Sequence, residues 1–190
     1  MLDIFMRKNL SKDILKFLGM GGILIAAVIA PNAVGTFKFI LKDENKISWK
    51  KFNKSRINET LKRLIRRGLI KTHLRNKKIE YMLTINGKQE ILKFDFEELK
   101  LKSEKNWDGW WRIIIFDIPE HKKAARDALR RKFLKLGMHQ LQKSVFIYPF
   151  NCKKEIDFIS AFYGVFDETL YLKAKVADIG DKLKGIFDLK

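Results

Sequence analysis

Cysteine is nearly absent: Cys152 is the only one in 190 residues. One thiol excludes an intramolecular disulfide framework and a cysteine-rich zinc site. It suits a reducing compartment, so a cytoplasmic location is the expectation. With three prolines and eleven glycines there is no low-complexity linker, and no internal repeat is found. The three histidines, His73, His121 and His139, have no metal-ligand spacing, and His121 is taken as a surface residue. The longest apolar run, residues 17–30, is 14 residues long, whereas a membrane span needs about 20. That run is expected to be a buried helix, with a membrane anchor or a signal segment as the alternative. Acid is scarce in one place above all. From Lys46 to Lys78 a single acid, Glu59, faces 13 Lys or Arg, which concentrates +12 of the chain's +18 in 33 residues. Residues 107–190 are more balanced, with 16 basic and 11 acidic side chains. Such asymmetry implies a polyanionic partner or an anionic membrane surface. Its density favours nucleic acid, with a solvated basic surface as the plain alternative.

Hydrophobic residues make up 46% of the chain, enough for a real core. Residues 1–10 are expected to be a ragged or partly helical tail. Ser11 is a suitable N-cap, with Asp13 in the first turn, for a helix that runs to Ala30 and is ended by Pro31. A second short helix is expected over 34–41, a turn over 43–46 and a connecting segment over 47–52. The clearest helix spans 54–67, where Ile57, Leu61, Leu64 and Ile65 share one face of a 3.6-residue period. Gly68 is placed to end it. Its other face carries Arg56, Asn58, Glu59, Lys62, Arg63, Arg66 and Arg67. A hairpin follows: a strand over 69–74, a turn over 75–78 and a return strand over 79–83. Thr84 then caps a helix through about Phe94, and 95–106 is expected to be a linker.

The second half opens with an apolar strand over 110–117, a solid run of β-branched and aromatic residues stopped by Pro119. Such a run is expected to be buried on both faces. A helix follows over 120–136, with Ala125, Ala128, Leu129, Phe133 and Leu136 on one side and Gly137 at its end. Next come strands over 138–142 and 144–150, a helix over 153–165, a strand over 169–176 and a short helix over 181–187. The order βαββαβ is that of a split-βαβ, ferredoxin-like domain. Two helices cover one face of such a sheet, and the other face has to be buried by something else. A second copy in a two-fold dimer is the expectation. The fold class is thus α+β: a domain over 1–94, a linker over 95–106 and a ferredoxin-like dimerisation domain over 107–190.

Two stretches carry resemblances. Leu61-Lys-Arg-Leu-Ile-Arg-Arg-Gly-Leu-Ile with Tyr81-Met-Leu-Thr-Ile-Asn-Gly resembles the recognition helix, wing and L-T-x-x-G start of bacterial winged helix-turn-helix regulators. Ile114-Ile-Phe-Asp-Ile-Pro-Glu, a basic helix and Leu141-Gln-Lys-Ser-Val-Phe-Ile together resemble the CRISPR-adaptation protein Cas-two. With Trp107-Asp-Gly-Trp-Trp-Arg ahead of them, they look closer still to the PaaX family of transcriptional repressors, in which a winged helix precedes a central domain of this fold. Full PaaX proteins continue into a further C-terminal domain that is expected to be missing here. The family's acyl-CoA response is therefore not carried over to this chain, and the small-molecule effector stays unknown.

These readings set the site expectations. Lys54, Lys62, Arg63 and Arg66 would contact phosphates. Ser55, Arg56, Asn58, Glu59, Lys62 and Arg63 lie toward the end of the helix that enters a major groove. Arg pairs with guanine and Asn with adenine, which singles out Arg56 and Asn58. Arg75, Asn76, Lys77 and Lys78 sit at the wing tip. RNA or solvent alone are the alternatives for this surface. Lys122, Lys123, Arg126, Arg130, Arg131, Lys132 and Lys135 make helix 120–136 either a second nucleic-acid surface or a plain solvent face. Trp107, Trp110 and Trp111 are expected to pack rather than stack on bases, and Cys152 to be inert. Asp117 has three readings. It caps the following helix, or it binds Mg²⁺ without cleavage, or it is the catalytic, metal-binding carboxylate of an endonuclease acting on DNA or RNA. In the Cas-two family the matching Asp binds a divalent metal, its two copies facing each other across a dimer. The leading expectation is a homodimeric repressor that binds double-stranded DNA sequence-specifically, without a membrane. The alternatives are the endonuclease, with its winged helix for targeting, and an architectural subunit that binds DNA without reading it.

Overall fold

Gly19, Met20 and Gly21 split the N-terminal apolar run. The computed structural model describes residues 2–21, 24–27, 54–75, 78–104, 106–175 and 179–189. Helix α1 spans Leu2–Gly19, and Gly21 follows in the left-handed region at φ 82°, a conformation that stops a helix at little steric cost. The chain then forms strand β1, Leu24–Ala27, antiparallel to a strand some 50 residues further on. This corrects the helix expected from Ser11 to Ala30: it begins nine residues earlier and ends at Gly19. Ser11 does not begin the helix as a cap; it is buried mid-helix. Pro31, the helix expected over 34–41, the turn over 43–46 and the segment over 47–52 lie outside the described residues. No described helix is long and apolar enough to cross a membrane.

Helix α2 spans Lys54–Arg66. Its Ile57, Leu61 and Leu64 join Leu10, Ile14, Leu15, Phe17 and Leu18 of α1 in one core. Ile65 is 39% exposed and Thr60 is buried, which corrects the apolar face. At 3.6 residues per turn Thr60 and Ile65 each lie about 40° beyond opposite edges of the Ile57–Leu61–Leu64 stripe, so burial is shifted toward the Thr60 side. Gly68, at φ 66°, ends the helix: its N–H donates to Ile65 O at 2.8 Å, and that of Leu69 to Leu64 O at 3.0 Å, a glycine C-cap. Strands β2, Ile70–Arg75, and β3, Lys78–Leu83, form the hairpin, and the sheet order is β1-β3-β2. Helix α3 spans Ile85–Glu98 and so continues past Phe94.

The Thr-x-x-Gly start of α3 has a steric basis. The Thr84 hydroxyl donates to Gly68 O at 2.7 Å and accepts from the Gly87 N–H at 3.1 Å. The Thr84 N–H donates to Leu69 O at 3.1 Å. These bonds draw α3 so close that a Cβ on Gly87 would stand 2.1 Å from the same Leu69 carbonyl oxygen.

The chain divides into two compact units, Met1–Glu97 and Glu98–Lys190. In the second, β4 spans Trp111–Phe116, α4 Lys123–Lys135, β5 His139–Gln142, β6 Val145–Tyr148, α5 Lys153–Phe162, β7 Thr169–Ala174 and α6 Gly180–Ile186. A 3-10 turn, Glu120–Lys122, precedes α4. The sheet order is β5-β6-β4-β7, antiparallel throughout. This is a β-α-β-β-α-β arrangement consistent with a ferredoxin-like domain. Ile114 and Phe116 alternate onto the helix-covered face, where Phe116, Phe133 and Phe146 lie 5.2–6.2 Å apart.

The second face is less open than expected. Trp111 and Ile147 are buried there with Leu183 of α6, and Trp107, Phe187 and Leu189 pack around them. The chain's own C-terminal helix therefore covers the Trp111 end of the sheet. Leu170 and Leu172 remain exposed further along.

Candidate nucleic-acid interface

Burial of Ile57, Leu61 and Leu64 fixes the roll of α2, and the roll decides what faces solvent. Ser55, Glu59, Lys62 and Arg66 are exposed; Arg56, Asn58 and Arg63 are half-buried. Lys54 is the first residue of the helix. Arg63 serves the fold: its Nη2 donates to the buried Ser11 hydroxyl at 2.6 Å and ties α2 to α1. Arg67, outside the expected site, pairs with Glu90 at 2.7 Å. Lys62 and Arg66 are thus the exposed cations among the described side chains of α2.

The hairpin extends this charge. Arg75 and Lys78 stand directly opposite one another across β2 and β3, both exposed. Like charges in that position repel, and a bound polyanion relieves the repulsion. Asn76 and Lys77 lie outside the described residues. Lys71 was missed: it is exposed two positions before His73 and four before Arg75, on the same side of β2. Period-two alternation would have found it once the strand's bounds were known.

Asp117 stands exposed just after β4, and its N–H donates to Glu168 O at 3.0 Å. The expected capping role is corrected. The 3-10 turn starts from Pro119, in an extended conformation with no side-chain cap bond, and Ile118 separates Asp117 from it. Nearby, Lys122 donates to Glu168 at 2.5 Å and holds its carboxyl below the usual range. Among the described residues no group of three or more His, Cys, Asp or Glu is placed to hold a metal. Asp117 belongs to no such group, and by itself it would suit only an ion that keeps most of its waters.

Helix α4 uses much of its charge internally. Arg126 donates to Ile118 O at 3.1 Å and Glu120 at 2.8 Å, and Arg130 to Lys143 O at 2.7 Å. Lys132 is buried, while Lys123, Arg131 and Lys135 are exposed. His121 is exposed, as expected. Cys152 is buried, and burial pushes its thiol up to about 12, which makes it unreactive.

The tryptophan-rich segment resolves into packing by Trp107 and Trp111, an exposed Trp110 that departs from the packing expected of it, and an ion pair between buried Arg112 and exposed Asp108. Trp107 lies 4.8 Å from Trp111. Trp110 is 36% exposed, with Lys173 and Lys175 5.0 and 5.3 Å from its ring centre. Arg112 is buried on the helix side of β4. It donates to both Asp108 oxygens at 2.7 and 2.8 Å and to the carbonyls of Trp110 and Pro149, each at 2.6 Å. Hydrogen bonding from Arg112 holds the Asp108 carboxyl far below the usual carboxylate range. Asp108 and Arg112 are thus the polar partners within Trp107-Asp-Gly-Trp-Trp-Arg, a pairing that sequence reasoning did not single out.

Residues 104–184 match the family described as PaaX protein central Cas2-like domain. The match lies within the second unit and leaves the first outside it. No curated protein matches the chain.

Proposed function

We propose that this chain is a PaaX-like, sequence-specific DNA-binding regulator of transcription, a cytoplasmic repressor that acts as a homodimer. In this reading residues 1–94 form a winged helix-turn-helix, 95–106 a linker and 107–190 the dimerisation domain. One observation carries it: α2 buries a narrow apolar stripe and turns Lys62 and Arg66 outward, beside the like-charged pair Arg75 and Lys78 of the hairpin. Sheet order β1-β3-β2 supports it, since β1 returns from α1 to pair beside the hairpin. The match of residues 104–184 adds the regulatory context.

In this reading α2 enters the major groove, with Ser55, Arg56, Asn58, Glu59 and Lys62 toward the bases. Lys54, Arg63, Arg66, Arg75, Asn76, Lys77 and Lys78 serve the backbone and adjacent groove. A homodimer sets its recognition helices about 34–36 Å apart, or a multiple of that, on a palindromic site. Selection of bound sequences from random DNA, with and without Mg²⁺, tests this. A palindromic consensus is the expected result, and recovery of unselected sequence refutes it.

A second reading has one observation in its favour: Asp117 is exposed and caps no helix. A metal-dependent endonuclease would cut DNA or RNA with Mg²⁺ or Mn²⁺ and lose activity in Asp117→Asn. Intact DNA and RNA after incubation across several metals and pH values eliminates it.

A further inference from the structure

The two edges of the four-stranded sheet differ. Strand β5 is four residues long and irregular between Gln140 and Gln142, and a short, bulged edge resists further pairing. Strand β7 pairs regularly with β4, from Phe116↔Thr169 to Trp111↔Ala174, over six residues that include no proline. The bond from Asp117 N–H to Glu168 O sets the parity. Glu168, Leu170, Leu172 and Ala174 turn their peptide groups toward β4. Thr169, Tyr171 and Lys173 turn theirs to the free edge. Among the described residues no strand pairs with that edge.

We propose that two copies of the chain join β7 to β7, antiparallel about a two-fold axis at Tyr171, and so continue the two sheets into one of eight strands. The proposal rests on the homodimer reading above and gives it a surface. Side-chain complementarity favours this register: an axis at Leu170 would set Asp167 against Lys173 but place Leu172 opposite Glu168. With the axis at Tyr171, Leu170 of each copy faces Leu172 of the other, and these leucines are 54% and 39% exposed in the single chain. They lie beside the half-buried Ile115 and Ile113, so pairing extends an apolar strip across the junction. Thr169 faces Lys173, and beyond the strand ends Lys175 comes to Asp167 of the other copy. No like charges stand opposed. Moving the axis to Leu172 sets Lys173 against Tyr171 and Lys175 against Thr169, and removes Asp167 from reach. Continuous pairing also leaves the two Asp117 carboxylates about 25 Å apart by strand spacing and rise, too far to share a metal ion.

A cysteine cross-link tests the register. Leu170 and Leu172 would form a non-hydrogen-bonded pair with Cα atoms about 4.5 Å apart, within disulfide range. Leu170→Cys and Leu172→Cys proteins are mixed, oxidised gently and run on a non-reducing gel, while sedimentation of the unaltered protein gives its oligomeric state. Buried Cys152 stays out of the reaction. The expected result is a dimer in sedimentation and a cross-linked band several-fold stronger in the mixture than with either variant alone. A dimer without that band, or with equal bands from the single variants, overturns the β7 junction and leaves the homodimer reading standing. A monomer at tens of micromolar overturns both.

Discussion

Gly87 has no room for a methyl group. In an open helix Gly→Ala gains about 1 kcal/mol. Here the added Cβ would stand 2.1 Å from Leu69 O. That oxygen is already held by the Thr84 N–H and cannot easily retreat. Gly87→Ala is therefore expected to destabilise the protein by about 1–3 kcal/mol, as overpacking does, measured by urea unfolding. Asp108 makes a prediction in pH. Its folded pKa is depressed by hydrogen bonding from Arg112, so its contribution is complete above the unfolded value, about 3.9. It is lost as pH falls from there through the folded pKa. Asp108 is itself largely solvent-exposed, so the contribution is on the order of 1 kcal/mol. Asp108→Asn should lower stability at pH 7 and flatten its fall below pH 4 in thermal melts. The Trp-Asp-Gly-Trp-Trp-Arg spacing was legible as a family resemblance. Its physical basis was not, because only the fold brings Pro149 O to the Arg112 guanidinium.

Helix α2 separates residues that look alike in sequence. Lys62→Ala and Arg66→Ala are expected to weaken DNA binding across sequences and to reduce the log–log salt slope by about 1 each. Both should leave stability within about 0.5 kcal/mol. Arg63→Ala should also cost about 1–2 kcal/mol of stability, since it removes a charged donor from buried Ser11. Binding titrations at several salt concentrations, paired with urea melts, distinguish the two kinds of cation. Helix α6 makes the corresponding claim about the sheet. Leu183 is buried against Trp111 and Ile147, and Leu183→Ala should cost about 2–4 kcal/mol in urea melts. The helical period of α2 was visible in Ile57, Leu61 and Leu64. The fate of Ile65 was not, because the width of the buried stripe depends on how α1 lies against it.

At the scale of the whole molecule the +12 concentrated between Lys46 and Lys78 predicts a steep dependence on salt. Half a dozen phosphate contacts give a log–log slope of about −5. Nearly flat binding between 50 and 200 mM salt, in sites chosen for affinity, would contradict an interface of this kind. The sheet's second face shows why assembly was hard to foresee. A βαββαβ order implies a face without helices, yet α6, Phe187 and Leu189 take one end of it. In the proposed dimer a second copy would take the Leu170–Leu172 margin and the β7 edge.

Sequence by itself determined the charge, the β-α-β-β-α-β order and the end of α2 at Gly68, because these rest on composition, local periodicity and backbone freedom. Tertiary structure alone decided the rest. Gly21 follows the end of α1, and four residues of the apolar run form strand β1, whose hydrogen-bond partner lies some 50 residues away in β3. Ser11 became a buried acceptor for Arg63 rather than a cap. Asp117 was left outside the helix it was expected to cap. In each case the deciding partner lies far along the chain or depends on three-dimensional direction, and local sequence carries neither.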